Sequence, residues 1–239
     1  TGSSARLNAA LDVIVGNVTA TNVSIVSGED IVNAANSTKN VTATNLRLAA
    51  VGSIGTSDRH VTTNIDNVSA SAANGSIYLT EDDAAIVRDV AVTVTEFNSD
   101  ATSTDITDAA QSDLATGADG DIVLVATLGN ITLTDGDANG TSVTANGAGN
   151  ILIDALAGSV TANADILSDT GDITITADDD IEFTANVDVT TSTPGTISID
   201  AETGTLTMDG TANVEATDSS ARLNAALDVI VGNVTATNV

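Results

Sequence analysis

Asp135, Asp137 and Asn139, followed by Gly140, place oxygen-bearing side chains at alternate positions in the segment DGDANG of this 239-residue chain. Oxygens at that spacing, with glycine at the sharp turn, suit a hard cation such as calcium. An EF-hand requires Glu at the twelfth position, where this chain has Asn146, so that motif is excluded. An open calcium loop and a plain Asp/Asn/Gly turn remain. Carboxylates also crowd in ADDDI (177–181) and TEDDA (80–84). Their mutual repulsion would favour cations, unless they form solvated acidic corners. His60 is the only histidine, so it lacks the partner that a metal site or a relay needs. The surrounding SDRH has none of the context of a nucleophile elbow. Paired carboxylates for glycosidic chemistry are abundant. Six basic residues and three aromatics (Tyr78, Phe97, Phe183) are too few to hold an acidic sugar. Asn17, Asn22, Asn36, Asn40, Asn67 and Asn130 head Asn-x-Ser/Thr triplets, which matter only where the source cell glycosylates. The expectation is a non-catalytic protein with calcium as its one candidate ligand.

The elements that position these residues follow from composition and repetition. The net charge of -27 argues against nucleic acid, whose phosphates need Lys and Arg, and against docking on anionic lipid. Strong acidity often accompanies disorder, but a mean hydropathy of +0.20 opposes it. Disulfides are excluded, since cysteine is absent. No apolar run approaches the roughly 20 residues of a membrane-spanning helix. Apolar residues make up 42% of the chain and aromatics only 1%, which suits an interior one or two small side chains wide. Enrichment in Val, Ile and Thr favours strands.

Residues 3–23 and 219–239 are identical, SSARLNAALDVIVGNVTATNV, and lie 216 residues apart. This reads as one period of a tandem array, plus the start of the next, in a single continuous segment over 1–239. A finer period lies inside it. Five-residue alternating segments start at 5, 23, 46, 77, 122, 151, 173, 197 and 221. Each is followed by two further short alternating segments separated by Gly/Asp/Asn turns. Alternation of this kind marks half-buried strands. Three strands in about 22 residues leave no room for crossover helices. The fold class expected is therefore all-β: a parallel β-helix with three strands per coil and about nine coils per 216 residues. The third strands align as Val18/Ala20, Val41/Ala43, Val68/Ala70, Val143/Ala145, Ile166/Ser168, Val189/Thr191 and Val214/Ala216, pointing inward. Asn22 and Asn45 follow at a corner and would form a stacked amide ladder. The duplicated 21 residues are expected to form the same coil, one period apart along the axis.

The phrases GNITLTD (129–135), GNILIDA (149–155) and GDITITA (171–177) resemble the repeats of filamentous-haemagglutinin-like and other giant repetitive bacterial surface adhesins. The resemblance implies a right-handed β-helical stalk, secreted and displayed on the cell surface. Expected partners are identical repeats stacked end to end, with other fibres or cell-surface and matrix glycans as further contacts. Self-stacking subunits of a homopolymeric filament and a calcium-stabilised binding module are the alternatives.

Residues 81–119 break the period and are expected to form an irregular coil plus an insertion. VAVTVTEF (90–97) would add a strand pair, and ITDAAQSDLATG (106–117) a short helical turn. Outward Thr19/Thr21, Thr42/Thr44 and Ser69/Ser71 resemble the flat threonine file of an ice-binding solenoid, broken at Leu167/Asp169 and Glu215.

Overall fold

The structure, a computed structural model, describes residues 2–239. It is all-β, and almost every strand belongs to one parallel ladder system in which each coil pairs with the coil before and the coil after. The architecture is the parallel β-helix expected from the alternating segments.

Successive coils bring like onto like. Ile122, Ile151, Ile173 and Ile197 stack in register, as do Leu124, Ile153, Ile175 and Ile199, and Ala126, Ala155, Ala177 and Ala201. Every one of these side chains is buried. The intervening residues Val125, Asp154, Thr176 and Asp200 point outward. Burying each Ile or Leu contributes about 1.5–3 kcal/mol. The narrow interior explains the lack of aromatics, since Phe183 is the largest fully buried side chain.

The corners carry the second ladder. Before the Val13, Ile31, Ile54, Ile77, Ile122, Ile151 and Ile173 file stands a residue whose side-chain oxygen accepts the backbone N–H of its counterpart one coil on. Asp12 accepts from Asp30, Asp30 from Ser53, Ser53 from Ser76, Ser76 from Asp121, Asp121 from Asn150, Asn150 from Asp172, and Asp172 from Thr196, at 2.6–3.1 Å. A second corner repeats the device through Asn130, Ser159, Asp180 and Thr205. A buried N–H without an acceptor costs about 1–3 kcal/mol, so these short polar side chains close the corners. The Gly before the Asn or Asp has its own cause. A Cβ on Gly120, Gly149, Gly171 or Gly195 would strike the backbone carbonyl of the glycine one coil earlier. The Gly-Asn/Asp-Ile phrase is thus a corner where backbones touch, followed by an acceptor and an inward anchor.

The expected amide ladder is present and longer than its two predicted members. Asn45 donates to Asn22 at 2.7 Å and Asn67 donates to Asn45 at 2.9 Å.

The files of the first three coils and of the later ones are spliced differently from expectation. Leu46 is followed by Val68, not by Ile77. Ile77 instead continues Ile31 and Ile54, Leu79 stacks on Val61, and Glu81 on Thr63. The strand Ile77–Glu81 therefore runs straight across what was a corner, and residues 55–60 of the preceding coil are expelled as a tight turn. Val68 and Ala70 continue into Val87 and Leu114. The triangular section is turned over at this point: the long side of the early coils lies over a corner of the later ones. Val18 and Val41 accordingly lead to Thr63, and not into the file of Val143, Ile166, Val189 and Val214.

The duplicated segment shows the consequence. Leu7 heads the file Ile25, Leu48, Ala70, Leu114, Val143, Ile166, Val189, Val214, Val234. Its copy Leu223 ends a different file, beginning at Val61 and running through Leu79, Leu124, Ile153, Ile175 and Ile199. The two copies are not the same coil in the same orientation, because the inversion near residues 61–81 moves the long side between them.

The close corners generate a stability prediction. Gly171→Ala should cost about 1–3 kcal/mol through backbone displacement. Gly210→Ala, where an added Cβ meets nothing within 4 Å, should stay within about 0.5 kcal/mol of the parent. Urea unfolding of both variants checks this, and equal losses would contradict the close-contact explanation.

Candidate functional site

The irregular segment after Glu81 builds the one feature that leaves the regular coil. Strands Val90–Phe97 and Ser103–Gln111 form an antiparallel hairpin. VAVTVTEF forms the expected strand, while within 106–117 residues 106–111 and 114–116 are strand where a short helical turn was expected. Their alternation pairs with residues 90–97 across the hairpin, and that pairing overrides the local Ala/Asp/Gln preference. Val90 and Val92 are buried against the outer face of the early long side, while Phe97 near the tip is 74% exposed.

The hairpin covers an outward file made of Arg6, Ser24, Arg47 and Ser69. Arg6 Nε donates to Asp108 Oδ2 at 2.9 Å, and Arg47 Nε donates to the Ala109 carbonyl at 3.1 Å. Gln111 Nε2 donates to the Leu48 carbonyl at 2.8 Å. Desolvation pushes the Asp108 carboxyl up, but the bond from Arg6, with the charges of Arg6 and Arg47, holds it below the usual carboxylate range. Burial likewise lowers the Arg47 guanidinium, and its Nη1 finds no partner. Covering Ser69 removes it from any threonine-like surface. The outward file that remains here is Thr19, Thr42 and Asn64.

Where the hairpin returns to the coil, Asp113 adopts φ 65° and Leu114 turns inward. Asp113 is only 6% exposed. Its Oδ2 accepts from Asn139 Nδ2 and Thr141 Oγ1, both at 3.3 Å, while Oδ1 is buried without a partner. The predicted calcium loop is therefore stacked on the hairpin base, and Asp113 faces it. Sequence reasoning missed Asp113, which lies 22 residues before Asp135 and has no motif of its own. Within the loop each predicted ligand accepts a backbone N–H two residues on: Asp135 from Asp137, Asp137 from Asn139, Asn139 from Thr141. Gly140 N–H also donates to Asp135, at 2.9 Å. These are consecutive Asx turns. Desolvation raises the Asp135 carboxyl, but the backbone donors hold it below its ordinary value. Among the described residues no three acidic, His or Cys side chains are gathered as a cation would require.

Burial, reinforced by the charges of Asp137 and Asp135 and opposed by Asn139 and Thr141, pushes the Asp113 carboxyl up to about 6. On the next coils, desolvation and the charges of Asp188 and Asp135 raise Asp165, against the N–H of Asp188.

The TEDDA carboxylates separate instead of clustering. Glu81 is 0% exposed, points inward, and accepts from the Ile65 and Asp83 N–H groups at 3.1 and 3.2 Å and from the Thr63 hydroxyl. It closes donors left open where the section inverts. Burial raises its carboxyl despite those bonds. Lys39 pairs with Asp82 on the outside. In ADDDI, Asp180 is a corner acceptor. His60 stacks at a tilt on Tyr78, 5.6 Å between centroids, with Nδ1 2.8 Å from Thr80 Oγ1; desolvation lowers its pKa. No acid–base pair forms there.

A carboxyl raised in the fold is stabilising while protonated, and that contribution is lost as pH rises through its folded value. Asp113→Asn, which cannot ionise, should match the parent below pH ~4 and exceed it by up to about 3 kcal/mol at pH 7. Denaturant unfolding in chelator at the two pH values tests this, and a variant less stable at pH 7 would contradict it.

Comparison with protein-family models, with curated proteins and with solved structures finds no match in any of the three.

Proposed function

We propose that this chain is a non-catalytic structural segment of a long extracellular fibre or adhesin stalk, in which repeats stack end to end. The observation that carries the reading is that the duplicated segment has partners on both of its edges. As residues 3–23 it pairs with 22–27, 31–33 and 41–42. As residues 219–239 it pairs with 197–201, 206–207 and 213–216. One coil able to stack both ways is what continuous growth along an axis requires.

Further support comes from the surface. The last coil exposes Val229 and Val231, whose counterparts Val13 and Val15 are buried under the coil that follows them. The charge of -27 keeps parallel fibres apart in solution and disfavours nucleic acid. Asp and Asn at the corners serve backbone hydrogen bonding, so the acidity has a structural use without a catalytic one. The resemblance of the Gly-Asn/Asp-Ile phrases to filamentous-haemagglutinin-like adhesins gives the cell surface as location. Neighbouring repeats are the first partners, and surface or matrix glycans and other fibres are candidates for the exposed sides. Separate stacked subunits would use the same contacts, and intact mass distinguishes them from one long chain.

The period of 216 residues spans between eight and nine coils, or about 40 Å at ~4.8 Å per coil. Images of an assembly of several repeats should show the projecting hairpin recurring at about that axial spacing. Globular particles, or repeats that flex as separate beads, would overturn the reading.

One observation favours a second reading, a calcium-stiffened module: Asp113 bonds Asn139 through Oδ2, carries the charges of Asp135 and Asp137 nearby, and has its buried Oδ1 unpartnered. A cation there would neutralise the crowded carboxylates, with the loop oxygens shared between it and their backbone donors. Under this reading added calcium raises the melting temperature of the parent and leaves Asp113→Asn unchanged; equal response of the two removes it.

A further inference from the structure

We infer that the hairpin is a clamp across the junction between successive repeats, with Asp108 of one repeat gripping Arg222 of the repeat before it. The inference rests on the end-to-end reading above and adds where and how the repeats are fastened.

Residues 219–239 repeat residues 3–23 without a difference, so Arg222 is the counterpart of Arg6. The two arginines are engaged in different ways. Arg6 uses Nε to reach Asp108 on the hairpin, at 2.9 Å. Arg222 uses Nη1 to reach Asp200 on the coil behind it, also at 2.9 Å. A guanidinium carries five N–H donors in a fixed fork, so one arginine can hold both carboxylates at once. Where the last coil of one repeat serves as the first coil of the next, the Asp200 contact comes from behind and the Asp108 contact from ahead. Leu223 and Ala225 have partners on both sides in the same way: Ile199 and Ala201 behind, and the counterparts of Ile25 and Ser27 ahead. The hairpin spans the early long side from the coil that carries it back to Arg6, so it reaches the shared coil. Val90, Val92 and the Arg47 contact anchor its base within its own repeat.

A geometric consequence follows from the inverted section. Val13 heads a file through Ile31, Ile54, Ile77, Ile122, Ile151, Ile173 and Ile197 to Ala221. That is eight full coils in 208 residues, and the Leu7 file makes nine in 227. The period of 216 falls close to midway. Successive hairpins therefore emerge about half a turn apart, on alternate sides of the fibre, and the true axial repeat is two periods.

The test is a chain of two periods, residues 1–239 continued by residues 24–239. The protein has no cysteine, so an introduced pair is the only thiol pair present. Arg222→Cys with Asp108→Cys in the second period should be joined by a short bis-maleimide. Its yield should match that of Arg6→Cys with Asp108→Cys in the single 239-residue chain. A yield several-fold below that reference overturns the clamp. Electron microscopy of the unmodified two-period chain reads the same geometry without a linker. One straight rod with hairpins on opposite sides supports the inference. One straight rod with both hairpins on one side overturns it and leaves end-to-end stacking intact. Two rods hinged at the junction overturn both.

Discussion

Everything in this molecule depends on one constraint: each coil must lie on the previous one in parallel register, close enough for every backbone donor to find an acceptor. On the flat sides the ladder meets this with main-chain bonds, and like side chains then stack inward. At the corners the main chain turns away from its neighbour and cannot meet it. There Asp, Asn, Ser and Thr oxygens take the N–H groups of the next coil, and glycine admits the neighbouring carbonyl. Acidic composition, glycine placement and the scarcity of aromatics are three results of the same geometry. Along the first corner file, charged and neutral acceptors alternate through Ser76, Asp121, Asn150 and Asp172. Directly stacked carboxylates would repel, and a neutral residue between them relieves this at little loss of hydrogen bonding.

The places where the register changes carry the exceptions. The section inverts between residues 61 and 81, the local ladder is interrupted, and a buried glutamate supplies the missing acceptors. The hairpin leaves the coil just beyond, covering a face that would otherwise be polar and solvated. Asp113 closes the hairpin and is left with one oxygen unpartnered against an acidic loop. These features are adjacent because each is a way of fitting extra chain into a stack with a fixed rise.

A β-helix built this way runs continuous ladders along its axis and advances about 4.8 Å per coil. The duplicated segment joins these properties to assembly, because its two settings display both edges of a single coil.

The chain's own pattern determined the class of fold, because alternation, coil length and Gly-Asn/Asp-Ile corners are local signals with a single compatible stack. Ile151, Ile173 and Ile197 could be aligned by eye, and the Asn22–Asn45 ladder was legible from spacing alone. Only the tertiary structure decided the phase. A three-sided coil repeats its long-short-short order wherever it starts, so one sequence fits any orientation of the triangle. Which orientation it takes depends on the coil it lies against. That is why ARLNA at 5–9 and ARLNA at 221–225 occupy different files, and why Leu46 passes to Val68. Asp113 and Glu81 were equally hidden: their roles come from donors and charges brought near by distant coils, which no local spacing encodes.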